Sequence, residues 1–130
     1  MGIQGAHVAL TVSDLSVSGP WYQQIFDAQK IFQGPDDVSE VEIYMISDSL
    51  LLALRQHAGT PVGDKFSHER CGLDHFGMHL EGSEDLDRWR SKLDEASVDH
   101  SGIVDSPLGQ HLSFKDPDGI ALEMFVPPQQ

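Results

Sequence analysis

The sequence predicts an α+β fold made of two tandem βαβββ modules, and three observations carry that prediction. The chain repeats itself at a shift of 68 residues, the interval from His7 to His75 (75 − 7). Each copy opens with a short alternating stretch that reads as a strand and runs on into a stretch with helical spacing. Each copy then closes with three extended runs separated by turn-forming residues.

The opening strands are the clearest match. His7-Val8-Ala9-Leu10-Thr11-Val12 falls on His75-Phe76-Gly77-Met78-His79-Leu80, and the same shift lays Trp21 on Trp89, Ile25 on Leu93 and Ala28 on Ala96. Strand side chains alternate between faces, so Val8, Leu10 and Val12 point one way and His7, Ala9 and Thr11 the other. Phe76, Met78 and Leu80 against His75, Gly77 and His79 repeat the pattern. The helices follow. Ser13 or Asp14 can cap the first, whose apolar stripe is Val17, Trp21 and Ile25, and Pro20 is expected near its first turn. Ser83 precedes Glu84 and Asp85 at the start of the second, whose stripe is Leu86, Trp89, Leu93 and Ala96. These stripes should cover the greasy strand faces, with Trp21 and Trp89 in the core.

The extended runs are expected at about 30–33, 40–46 and 50–57 in the first copy and about 98–104, 110–115 and 120–126 in the second. Ser47-Asp48-Ser49 separates the last two of the first copy, and Asp116-Pro117-Asp118-Gly119 is a stronger turn signal in the second. The stretch from Ala58 to Asp74, with Gly59, Pro61, Gly63 and Gly72, has no clear period. The expected organisation is one domain over 1–130, with module one at about 5–57, a linker at about 58–74 and module two at about 75–126.

Composition narrows the function. With 130 residues and 39% hydrophobic content the chain can bury a core without disulfide staples. Twenty-one acidic against eight basic residues give a formal net charge of −13, which disfavours nucleic acid and anionic membrane surfaces as partners. Cys71 has no second cysteine to pair with, the first residues carry no leader pattern, and the longest aliphatic run, Leu50 to Leu52, cannot cross a bilayer. A cytoplasmic protein with a small-molecule partner is expected.

The repeat also suggests a metal site. His7 and His75 occupy equivalent positions on equivalent strands, on the face turned from the helix. In the last run Ile120, Leu122 and Met124 alternate with Ala121, Glu123 and Phe125, so a carboxylate sits on the face opposite the aliphatic side chains. Burying that glutamate is costly unless a cation or hydrogen bonds compensate it. Two imidazoles and one carboxylate form a set that suits iron(II), with manganese, zinc or nickel as other divalent ions, and leaves positions for substrate. His79 shares the face of His75 and is the candidate general acid or base. Phe125 and Met45 are candidates to contact a substrate's carbon skeleton. His57, His68, His100 and His111 are expected at strand ends or in loops, solvated.

His7-Val8-Ala9-Leu10-Thr11-Val12-Ser13-Asp14, the Trp21-Tyr22 pair, Gly72-Leu73-Asp74-His75-Phe76-Gly77-Met78 and Asp116-Pro117-Asp118-Gly119-Ile120-Ala121-Leu122-Glu123 together resemble the vicinal oxygen chelate superfamily. This is the group of glyoxalases, bleomycin-resistance proteins and extradiol dioxygenases. The resemblance implies two βαβββ modules with curved mixed sheets around a metal-binding cleft, commonly in a homodimer, with metal ligands at His7, His75 and Glu123. It implies a metal-dependent dioxygenase or lyase. Glyoxalase I brings a fourth, glutamate ligand from the first module, where this chain has Ala53 or Arg55 depending on the turn allowance, and Glu42 is a substitute on an earlier strand. Extradiol dioxygenases match the three ligands, but their catalytic tyrosine falls near Ser113. Fosfomycin-modifying thiol transferases share the triad, but Pro107-Leu108-Gly109-Gln110-His111 lacks their serine-rich loop. The resemblance therefore implies a dioxygenase-like three-ligand enzyme first, with a glyoxalase-type lyase, a thiol transferase, or a non-catalytic protein that binds a small molecule such as an antibiotic as alternatives.

Overall fold

A computed structural model describes residues 1–128. The chain divides into two compact units between Lys65 and Phe66. The residues on each side of that division tie back to their own unit: Gly63 N–H donates to Ser13 Oγ at 3.2 Å, and Phe66 N–H to the Asp118 carbonyl at 2.9 Å. Each unit is a βαβββ arrangement, so the fold class expected from the repeat is the one observed.

The first unit contains β1 (Val8–Thr11), α1 (Leu15–Phe26), β2 (Gln29–Pro35), β3 (Ser39–Ser47) and β4 (Leu50–His57). Its sheet runs β1-β4-β3-β2, with β1 parallel to β4 and the other pairs antiparallel. The second unit repeats this with β5 (Phe76–His79), α2 (Ser83–Glu95), β6 (His100–Ser106), β7 (Gly109–Lys115) and β8 (Ala121–Val126), in the order β5-β8-β7-β6 with β5 parallel to β8. The helix carries the chain to β2 or β6 at the opposite edge of its sheet, and the antiparallel run that follows brings the last strand back beside the first in the same direction, which explains the single parallel pair in each sheet. Among the described residues no helix is long and apolar enough to cross a membrane.

Asp14 caps α1, its Oδ1 accepting the Ser16 N–H at 3.0 Å. The helix packs on β3 and β4 through Ser18, Gly19, Tyr22, Ile25 and Phe26. That face is rotated by about one residue, or roughly 100°, from the expected stripe. Val17 is exposed and Trp21 only half-buried, its ring edge-on to Tyr22. The rotation has a local cause. Gly19 faces the Glu42 carboxylate and the Tyr44 hydroxyl so closely that a Cβ there would lie 2.7 Å from Glu42 Oε1. Pro20 lies in the second turn rather than the first, which leaves the exposed Ser16 carbonyl without its i+4 amide.

In α2 Leu86 and Leu93 are buried as the stripe requires. Trp89 is half-buried rather than core, stacked on Phe114 with the Lys92 ammonium 5.4 Å from its ring centre. The cap is Gly82, with no side-chain bond, and Ser83 is the first helical residue. Glu84 and Asp85 in the first turn meet the positive end of the helix dipole instead.

The turn before β8 is tightly specified. Asp116 Oδ1 accepts the N–H groups of Asp118 at 2.9 Å and Ile120 at 2.8 Å, and Gly119 takes a positive φ of 81° that a side chain would resist. This turn sets the register by which Leu122 and Met124 are buried with Met78 and beside the half-buried Phe76, leaving Glu123 on the opposite face.

Candidate metal centre

The parallel β5–β8 pair places Gly77 directly beside Glu123. Because Gly77 has no side chain, Glu123 can extend across it towards His75, which immediately precedes β5. His75 Nε2 lies 3.1 Å from Glu123 Oε2. A Cβ on Gly77 would stand 3.2 Å from that same oxygen and 3.9 Å from His75 Nε2.

The other nitrogen of His75 is engaged as well. Its Nδ1 lies 2.7 Å from Asp74 Oδ1, so the ring is oriented with Nε2 turned to Glu123. The Asp74 hydrogen bond, with the Glu123 charge added, raises the His75 pKa above its ordinary 6.5 against the opposing effect of desolvation. Glu123 is mostly withdrawn from water, its side chain 20% exposed. Two donors bound at about 2.1 Å and about 90° apart around one cation stand about 3.0 Å from each other. The His75–Glu123 separation therefore fits a pair of neighbouring metal ligands.

His111 was expected in solvent, yet it lies half-buried on β7 with Nδ1 3.9 Å from Glu123 Oε1. The signal was present in the alternation of Gln110 to Lys115. Leu112 and Phe114 are buried, which puts His111 and Ser113 on the Glu123 face. Ser113 pairs directly with Glu123, so a serine hydroxyl stands where the resemblance to extradiol dioxygenases calls for a tyrosine. His79 is exposed on β5 and packs on Phe125 at 5.1 Å between ring centres.

The first unit carries no such pair. Ala9 is beside Ala53 in the β1–β4 ladder, as Gly77 is beside Glu123 in β5–β8. Ala53, not Arg55, is thus the structural counterpart of Glu123. Arg55 is engaged by Asp36 and by Ser39 Oγ at 3.0 Å. The Val38 N–H, with Arg55 and Ser39 adding to it, holds the Asp36 carboxyl well below the usual carboxylate range. Glu42 is excluded as a substitute ligand: it is buried on the helix side of β3, accepting from Tyr44 at 2.7 Å and paired with Lys30 at 3.1 Å. Burial together with the Glu42 contact raises the Tyr44 pKa. His7 is exposed just before β1, and Met45 is exposed on β3. His100 is not solvated either, because its Nε2 meets Asp94 Oδ1 at 2.7 Å and its Nδ1 accepts the Gly102 N–H at 3.0 Å. Among the described residues no group of three or more His, Cys, Asp and Glu side chains is already gathered into a metal cage.

The family profile of the Glyoxalase/Bleomycin resistance protein/Dioxygenase superfamily matches residues 5–124. The chain belongs to this superfamily. A superfamily domain from Frankia has 31% identity over 98% of both chains and superposes with a TM-score of 0.86. The metallothiol transferase FosB of Bacillus licheniformis is 27% identical over 92% of this chain and 73% of its own length. At the level of fold alone, the fosfomycin resistance protein FosX of Listeria monocytogenes, crystallised with Mn(II) and sulfate, has a TM-score of 0.71 at 21% identity, covering 98% of this chain and 95% of its own.

Proposed function

We propose that this protein is a metal-dependent enzyme of the superfamily, with His7, His75 and Glu123 as ligands of a divalent cation and a small substrate chelated through two neighbouring oxygens. The observation that carries the reading is the His75–Glu123 pair: two good ligands 3.1 Å apart, with no side chain at Gly77 between them. The Mn(II) found with FosX and the metallothiol transferase name of FosB support a metal. When bound, the cation supplies Lewis-acid stabilisation of negative charge developing on the substrate oxygens.

The chain's own residues do the rest. Asp74 keeps His75 Nε2 aimed at the site, and Gly77 admits the carboxylate. Phe125 offers an apolar surface to the substrate, and His79, packed on it, is the candidate to carry a proton. The two-imidazole, one-carboxylate set favours iron(II) and a dioxygenase-type reaction. Thiol transfer is the second reading, favoured by the FosB relative.

The test is metal analysis of protein purified without chelator and then offered iron(II), manganese, zinc or nickel. About one ion per chain should be retained, and His75→Ala and Glu123→Ala should each abolish retention with the circular dichroism spectrum unchanged. Failure to retain any of the four ions overturns the reading. Oxygen uptake with catechols, set against thiol consumption with fosfomycin, then separates the two reaction classes.

A further inference from the structure

We infer that His111 is a further ligand of the metal centre, so that the second unit supplies two imidazoles and a carboxylate by itself. The inference rests on the metal-site reading above.

Glu123 is the starting point. Among the described residues its only polar side-chain partners are His75, at Oε2, and His111, at Oε1. Among the described residues no lysine, arginine or backbone N–H is paired with this largely buried carboxylate. One imidazole approaches each of its two oxygens, an arrangement that leaves the negative charge for a cation placed among the three groups. His111 is available for that cation. Its ring makes no other hydrogen bond or ion pair among the described residues, and it is half-buried, so it is held near the site without being committed elsewhere.

The neighbouring positions agree. Gly77 is bare, Ser113 is small, and both pair with Glu123 in the sheet, so no bulky side chain of either residue fills the space beside the carboxylate. His111 pairs with Phe125 one step further along the same face. At 3.9 Å its Nδ1 is further from the carboxylate than His75 Nε2 at 3.1 Å, and the separation lies between those of adjacent and opposite donors around one octahedral ion, about 3.0 and about 4.2 Å.

With His75, His111 and Glu123 bound, an octahedral ion keeps three positions, of which a substrate binding through two oxygens takes two.

Zinc serves as a diamagnetic probe of this geometry. In protein labelled with nitrogen-15 at histidine, titration with zinc should move a ring nitrogen of His75 and one of His111 to the chemical-shift range of metal-bound imidazole. The His111 signals are identified by their loss in His111→Gln. That variant should bind zinc at least tenfold more weakly than the unaltered protein, and His111→Asn serves as a second variant should the first misfold. If zinc binds and shifts His75 while the His111 nitrogens stay at their free positions, the inference fails and the metal-site reading stands. If zinc shifts neither residue, both fail.

Discussion

Replacing Gly77 with alanine separates the metal centre from the fold that carries it. Gly77 lies within β5, so the substitution should favour folding by about 0.5 to 1 kcal/mol through reduced backbone entropy in the unfolded chain. The new methyl group, however, would lie 3.2 Å from Glu123 Oε2, closer than an ordinary contact, and the carboxylate would have to withdraw by a few tenths of an ångström. Metal sites tolerate ligand displacements of about 0.2 Å. The displacement exceeds that tolerance, and the surrounding sheet leaves a side chain only 20% exposed little freedom to compensate. Affinity should therefore fall by about 10- to 100-fold, as for other residues that position ligands, which is about 1.4 to 2.7 kcal/mol. Calorimetric titration with Mn(II) measures the affinity, and urea denaturation of the metal-free protein measures the stability. The reasoning is refuted if Gly77→Ala binds as tightly as the unaltered protein, or if affinity and stability fall together.

Three further outcomes follow from the same contacts. Metal binding needs an unprotonated His75 Nε2, and Asp74 raises the His75 pKa above 6.5, so affinity should fall as pH is lowered through that raised value; Asp74→Asn should move the loss to lower pH, as followed by Mn(II) titrations between about pH 5 and 8. In the metal-free protein the same shift favours the folded state below about pH 6.5, and that contribution should fade as pH rises through the raised value. The raised Tyr44 pKa means that the folded chain keeps a proton which the unfolded chain loses near pH 10, so stability should decline above about pH 10; Tyr44→Phe should flatten that decline while costing about 1 kcal/mol at neutral pH. Gly19→Ala gains up to about 1 kcal/mol of helix propensity but places a methyl group 2.7 Å from a buried carboxylate oxygen. Overpacking of about 1 to 3 kcal/mol should win, and thermal unfolding should show a net loss.

Much of the fold could be read because repetition and alternation are local properties. The shift that lays His7 on His75 also lays strand on strand and helix on helix, and the structure keeps those elements with their ends moved by one or a few residues. The structure departs from the local pattern where packing chose among local options. The α1 stripe gave a plausible face through Val17 and Trp21, but the close approach of Gly19 to Glu42 and Tyr44 turned the helix by about one residue. Glu42 had an ambiguous facing until its register opposite Leu54, together with its Lys30 and Tyr44 partners, placed it under the helix.

The candidate centre divides the same way. Its residue types and their parity on the strands were in the sequence: His75, Gly77 and Glu123 follow from alternation and from the Asp116–Gly119 turn. Register was not, because it depends on which residues of distant strands form hydrogen bonds. Only the β1–β4 ladder decided that Ala53 and not Arg55 corresponds to Glu123, and only the β7–β8 pairing brought His111 to the second carboxylate oxygen. A single chain specifies through neighbouring residues which face a side chain takes. Which other side chain it meets there is settled by pairing across the sheet, and that is a property of the folded molecule alone.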